Sequence, residues 1–279
     1  MTINDNKRLL IGLPDGVHIK DATNKLLKKA GLNVSGYKNS SYKRKYNAKL
    51  VLPSGKVCDV VIDKPKDLLY SLSLGKIDII ITGSDYVNDF CLFHAKQLKS
   101  PFNHGCKLIE SAHLQLNHLG YFGTQLGFIV KEDSPYDNLD ELISSQDKII
   151  CYSEFPIIAS QYLSKLASYK YRFGDSLPSI TSGFSILESN PKVNIIYSHG
   201  ATESKAAIDN KALIFDLMLS GKTYKINKLK ILRMVGNPIF NVIYKRKDSK
   251  KCSEITEFVK LIETTVKNYP DIYNISRKQ

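Results

Sequence analysis

No run of apolar residues in this sequence approaches the roughly 20 that a membrane-spanning helix needs. The opening segment MTINDNKRLLIGLP also lacks the longer apolar core and small-residue cleavage site of a secretory signal. No membrane segment is expected, and the expected compartment is the cytoplasm. Cysteine is scarce: the five present, Cys58, Cys91, Cys106, Cys151 and Cys252, are scattered, odd in number and never in a CxxC pair. That argues against a disulfide framework or a zinc site. The six histidines, His18 and His199 among them, show no metal-ligand spacing, so the sequence leaves any metal ligands unknown. No internal repeat or low-complexity tract is evident.

Acidic residues are in short supply, 27 against 40 lysines and arginines, for a net charge of +13. An excess of that size admits nucleic acid, an acidic partner or a polyanionic small substrate. The densest basic run, YKNSSYKRKYNAK at residues 37–49, interleaves tyrosines with Lys38, Lys43, Arg44, Lys45 and Lys49. Such a mixture can track phosphates and stack bases, but charge runs are usually solvated surface. Nucleic acid is therefore the minor expectation.

What is present is the patterning of an ordinary folded α/β protein, 43% hydrophobic and 24% charged over 279 residues, long enough for one large or two modest domains. The wholly apolar run LLIGL at residues 9–13 reads as a strand covered on both faces. It is followed by Ile19, Ala22, Leu26, Leu27 and Ala30 at helical spacing, with Gly31 as the stop. KVCDVVI, a helix near residues 67–74 and IDIIITG repeat the strand-helix-strand theme. QLGFIV, KIICYS, VNIIYS and ALIFDL read as strands of a second α/β domain. NPIFNVIYKR reads as a last strand, and Ile255, Phe258, Val259, Ile262 and Val266 trace a closing helix that Ser253 is placed to cap. This alternation predicts parallel sheets with helices on both sides.

Ligands of such folds gather at the carboxyl ends of parallel strands, where helix N-termini and loop amides converge. Four predicted strands end in polar residues: Pro14-Asp15-Gly16, Gly83-Ser84-Asp85, Ser153-Glu154-Phe155-Pro156, and, after ALIFDL, Ser220-Gly221-Lys222-Thr223. The last is the most suggestive. Small, hydroxylated and cationic residues just past an acidic strand end are suited to hold a phosphate through backbone N–H groups and hydroxyls. Asp216, Glu203 and Asp85 are also the residue types of ordinary turn and helix caps.

Read in order, LLIGLPDG, LLKKAGL, KPKDLLYSLSLGKIDIIITGSD, YSEFP, HGATE and ALIFDLMLSGKTYKINKL resemble the landmarks of ATP phosphoribosyltransferase over most of the chain. The resemblance implies two α/β domains with a cleft between them, as in the periplasmic-binding-protein type II fold. It further implies the first step of histidine biosynthesis, in which N1 of ATP attacks phosphoribosyl pyrophosphate and pyrophosphate leaves, with Mg2+ assisting. Asp216 and Glu203 fall on catalytic positions. Ser220, Gly221, Lys222, Thr223 and Asn227 fall on the phosphoribosyl-pyrophosphate loop, and Gly16, Lys64, Asp85, Ser153 and Glu154 on the ATP side.

By the same resemblance, residues 1–110 form a first domain, 111–231 a second that carries the phosphate loop, and 232–279 return to the first. The chain is similar to the short form of the family. Its implied partner is a regulatory subunit resembling histidyl-tRNA synthetase, in a homo- or hetero-oligomer. Three features depart from the pattern. Asp15 and Val17 stand where the family carries cations, Gly123-Thr124-Gln125 stands where a cationic segment is usual, and residues 86–120 and 157–194 are longer than the usual connections. These departures keep two alternatives open, a diverged phosphoribosyltransferase acting on another base and a non-catalytic small-molecule binder of the same fold.

Overall fold

The computed structural model describes residues 8–15, 17–35, 37, 48–96, 100–116, 125–182, 185–187, 189–198, 202–205, 209, 211–218, 226–235 and 241–269. Gly16, the phosphate segment 220–223 and most of the basic run 37–49 lie outside these residues. The chain divides into two compact units, Met1–Phe122 with Ile239–Gln279, and Gly123–Pro238.

The first unit is built on a six-stranded sheet, β2-β3-β1-β4-β13-β5. Strands β1 (Leu10–Pro14), β3 (Val57–Asp63) and β4 (Ile79–Gly83) run parallel at its centre. Both faces of this centre are buried, which is why these segments read as continuous apolar runs rather than alternating ones. Along β4, Ile79 and Ile81 enter a cluster with Leu26, Leu27, Phe258 and Ile262, whereas Ile80 enters another with Leu68, Leu69, Leu72 and Phe90. Helices α1 (Val17–Lys29) and α8 (Cys252–Asn268) thus cover one face. The other is covered by α2 (Pro65–Ser73) and α3 (Ser84–Lys96), with α4 (Pro101–Leu108) packed against both helices.

The sheet is mixed rather than parallel. Strand β2 (Ala48–Val51) meets β3 through a turn closed by Leu52 N–H donating to Lys56 O at 2.9 Å, with Gly55 at φ +82°. A connection that short holds no crossover helix, so the pair is antiparallel. Strand β13 (Asn241–Arg246) returns from the second unit antiparallel to β4 and to β5 (Ile109–Leu116).

The second unit carries a seven-stranded sheet, β12-β6-β11-β7-β10-β8-β9. Its parallel centre is β7 (Ile149–Ser153), β10 (Asn190–Tyr197), β8 (Pro178–Ser182) and β11 (Leu213–Met218). The antiparallel members are β6 (Gln125–Lys131), β12 (Leu229–Val235) and β9 (Ser185–Leu187). Helices α5 (Leu139–Ser145), α6 (Pro156–Leu163) and α7 (Ala167–Phe173) complete it. Phe128 and Phe215, whose ring centroids are 4.5 Å apart, form part of its buried core.

Two expectations shift. The boundary drawn at 231 falls inside β12, which pairs with β6 of the second unit, and the one at 110 falls inside β5, which pairs with β13 of the first. Ser253 does not cap α8. Lys251 occupies the N-cap position without a side-chain cap bond, and the Ser253 hydroxyl donates to Glu254 Oε2 at 2.8 Å within the first turn. The long segment 86–120 holds most of α3, with α4 and β5, and 157–194 holds most of α6, all of α7 and the strands around β8.

Candidate functional site

In the first unit the carboxyl ends of β1, β3 and β4 are brought to one edge of the sheet. Pro14 pairs with Asp63, and Asp15 N–H donates to Asp63 O at 2.7 Å. Lys64 follows Asp63 as the residue preceding α2 and is exposed, with its N–H held by Asp63 Oδ1 at 2.9 Å. Pro65 then starts the helix, its missing N–H costing nothing at the first position. Asp85 lies in the first turn of α3, which follows β4 without a break, and is 5% exposed. Its Oδ1 folds back over Gly83 so closely that a Cβ on that residue would lie 2.2 Å away. Glycine is therefore the residue that admits this carboxylate position. Tyr244 of β13 faces the same region, its hydroxyl pushed up to about 12 by burial first and then by the charges of Asp85 and Cys91.

Asp15 does not present a bare negative charge. Lys20, one turn into α1, places Nζ 3.1 Å from Asp15 Oδ1. The same ammonium stands 5.7 Å from the centroid of the Tyr37 ring. Burial holds the Tyr37 hydroxyl far above its ordinary value, so it stays a donor, and it bonds Pro14 O at 2.8 Å. Sequence reasoning missed Lys20 and Tyr37. A residue five positions beyond Asp15 belongs to no turn or helix-face rule, and Tyr37 sits at the edge of the basic run.

In the second unit Ser153, Tyr197 and Phe215 are in register across β7, β10 and β11, so Glu154, Ser198 and Asp216 occupy the carboxyl edge together. Ser198 N–H donates to Ser153 O at 2.9 Å. Ser153 is fully buried and its hydroxyl accepts from Phe155 N–H at 2.8 Å. It shapes the turn into α6, while half-buried Glu154 is carried at the rim. Asp216 is half-buried, and its Oδ1 accepts from Leu217 N–H at 2.7 Å. Asn227 is exposed in the turn leading to β12, next to Lys228 at φ +51°. The backbone of Glu203 lies in a single 3-10 turn, Thr202–Ser204, packed on β11. Its side chain, like Ser220, Gly221, Lys222, Thr223 and Gly16, lies outside the described residues.

Among the described residues no three histidine, cysteine or acidic side chains converge as metal ligands, and no helix is long and apolar enough to cross a membrane.

Each of the two α/β units thus places polar and acidic residues at the carboxyl edge of its central parallel strands, where open α/β sheets bind their ligands. The family model for ATP phosphoribosyltransferase matches residues 64–264, and the chain belongs to that family. It is 24% identical over 278 residues to an ATP phosphoribosyltransferase of Rhodopirellula baltica, covering 97% of this chain and 73% of that one. It is 22% identical over 261 residues to the enzyme of Methanocaldococcus jannaschii, covering 92% and 73%. Among solved structures, the ATP phosphoribosyl transferase (HisG:HisZ) complex from Thermotoga maritima superposes with a TM-score of 0.56 at 16% identity, covering 93% of this chain and 99% of that one. A histidine kinase sensor domain with similarity to periplasmic binding proteins gives 0.51 at 8% identity, covering 99% and 97%.

Proposed function

We propose that this chain transfers the phosphoribosyl group of phosphoribosyl pyrophosphate to N1 of ATP, releasing pyrophosphate, the first step of histidine biosynthesis. The observation that carries this reading is the placement of Asp216 beside Ser153 and Glu154 at one sheet edge, directly ahead of segment 220–223 and within the span that the family model matches.

In this reading, Asp216 bonds the ribose hydroxyls and offsets positive charge at the ribosyl carbon as pyrophosphate departs. Glu203, from the 3-10 turn packed on the same strand, adds a second carboxylate. The backbone N–H groups and hydroxyls of Ser220, Gly221 and Thr223, with Lys222 and Asn227, hold the 5′-phosphate. On the first unit, Gly16 lets the backbone approach the nucleotide, Lys64 meets its phosphates, and Asp85 accepts from a sugar or amino group. On the second unit, Glu154 at the sheet edge is the residue that the family resemblance assigns to the nucleotide.

On this reading Mg2+ enters as the counter-ion of the substrate phosphates, its usual mode of binding. A regulatory subunit resembling histidyl-tRNA synthetase is the proposed partner, and the cytoplasm the proposed compartment. The Asp15–Lys20 pair favours ATP over a less charged base, because the carboxylate that would repel a polyphosphate is already compensated.

The test is pyrophosphate release from phosphoribosyl pyrophosphate and ATP, with Asp216→Asn alongside the parent. We expect kcat to fall by roughly two orders of magnitude with folding retained, the scale set by losing one electrostatic contact in a transition state. An Asp216→Asn enzyme as fast as its parent excludes this assignment, and a parent inactive with ATP but active with another base selects the diverged enzyme.

A further inference from the structure

Helices α3 and α4 lie within the long segment 86–120 and bring together two cysteines that are far apart in sequence. Cys91 and Cys106 are both half-buried and both pack against the cluster formed by Leu68, Leu69, Leu72, Ile77, Ile80 and Phe90. Their side chains come from the packed faces of α3 and α4 and are close enough for the two thiols to interact. The other cysteines stand apart from this contact. Cys58 and Cys151 are buried on β3 and β7, and exposed Cys252 bonds Ser249 O at 3.2 Å at the start of α8.

Each half of the pair is held on a fixed platform. Gly105 seats α4 against α2 so closely that a Cβ there would lie 2.3 Å from Ser73 O. Phe90, His94 and Phe102 interlock α3 and α4, with ring centroids 4.5 Å apart for Phe90 and His94 and 4.8 Å for His94 and Phe102. His94 Nδ1 and Ser100 Oγ, the N-cap of α4, lie 2.7 Å apart. The two sulfurs therefore meet through packing rather than by chance collision of free side chains.

We propose that Cys91 and Cys106 are a thiol–disulfide modification site, oxidised reversibly by low-molecular-weight disulfides to a staple between α3 and α4. In the glutathione-reduced compartment that the proposed function implies, disulfides are usually transient and redox-sensing rather than structural. The neighbouring Cys106 thiol draws Cys91 below its ordinary value against an opposing burial effect, while Cys106 is pushed up. Cys91 is thus the attacking sulfur.

Its thiolate attacks one sulfur of the reagent R–S–S–R, forming a Cys91–S–S–R mixed disulfide and expelling one thiolate. Cys106 gives its proton to that thiolate and attacks the Cys91 sulfur, expelling the second, which takes up the proton Cys91 had released. Two electrons pass from protein to reagent, leaving one protein disulfide and two R–SH. The staple ties α3, whose first turn carries Asp85, to the helix seated on α2.

The experiment treats the folded chain with oxidised glutathione, quenches with acid, and combines thiol titration with peptide mapping by mass. The parent is expected to lose two of its five thiols, to yield a Cys91–Cys106 cross-linked peptide with no retained glutathione, and to recover both thiols with dithiothreitol. Cys106→Ser should stop at a stable glutathione adduct on Cys91, and Cys252→Ser should behave as the parent. A parent that keeps all five thiols, that cross-links Cys252 instead, or that carries an adduct on Cys91 with Cys106 still free overturns the proposal.

Discussion

Lys20 Nζ stands 3.1 Å from Asp15 Oδ1 at the carboxyl end of β1, the two side chains 13% and 25% exposed. Unit charges ~4 Å apart interact by about 4 kcal/mol at an effective dielectric near 20, an upper figure that solvent reduces. A lone Asp15 would therefore oppose a polyphosphate at this edge, and Lys20 removes most of that opposition. Replacing Lys20 with Met should raise KM for ATP about tenfold, equivalent to about 1.4 kcal/mol, and adding Asp15→Asn should restore most of it. Steady-state kinetics of the single and double variants check this. A double variant no better than Lys20→Met would show that Lys20 contacts the nucleotide itself.

The phosphate segment is tested by its glycine and its hydroxyl. On the proposed assignment, Gly221→Val blocks close approach of the backbone to the 5′-phosphate, and Thr223→Ala removes one hydroxyl donor, a neutral hydrogen bond of about 1 kcal/mol. KM for phosphoribosyl pyrophosphate should rise several-fold for Thr223→Ala and further for Gly221→Val, with KM for ATP nearly unchanged. Equal KM values for phosphoribosyl pyrophosphate in parent and both variants would relocate the site.

Legibility followed burial. The central strands β1, β4, β7 and β11 were plain in the sequence because each opens on a continuous apolar run, as in Ile79-Ile80-Ile81 of β4, where both faces are buried. The edge strand β12 was not. Ile231 and Met234 are 36% and 40% exposed, and a register shift between Ile231 and Arg233 breaks the alternation that marks a half-buried strand. A boundary placed at 231 therefore cut it in two. Strand ends were legible as polar interruptions of apolar runs, which is how Asp85, Glu154 and Asp216 were singled out. Their neighbourhoods were not: Lys20 reaches Asp15 only through the way α1 leaves β1, and Tyr244 comes near Asp85 from a strand far along the chain. The Cys91–Cys106 contact was hidden for the same reason.

His94 supplies a pH prediction. Burial in the Phe90, Tyr70 and Phe102 cluster lowers it from 6.5 to about 4, with the charge of Lys66 adding to the effect. The unfolded chain thus binds a proton at higher pH than the folded one does. Stability associated with neutral His94 is fully present above about 6.5, falls as pH drops toward about 4, and levels off below that. Tm measured across this window should decline in the parent, and His94→Gln should flatten part of the decline. Parallel curves for parent and variant would mean that His94 is protonated without cost.

Gly105 sets the seat of α4. A Cβ at this position would lie 2.3 Å from Ser73 O and 2.8 Å from Ser73 C, both backbone atoms at the end of α2 that have no rotamer to yield. Alanine is a better helix former than glycine by roughly 1 kcal/mol, so propensity alone would make Gly105→Ala stabilising. Overpacking costs typically 1–3 kcal/mol, and here the obstruction is backbone, which places the cost at the upper end. The two effects oppose, and packing should win by about 1–2 kcal/mol. Urea unfolding should show a lower midpoint for Gly105→Ala at unchanged m. Because the clash lifts α4 away from α2, the variant should also cross-link Cys91 to Cys106 more slowly with oxidised glutathione. A variant as stable as its parent would show that α4 slides without cost, and the fixed platform under Cys106 would then be lost as well.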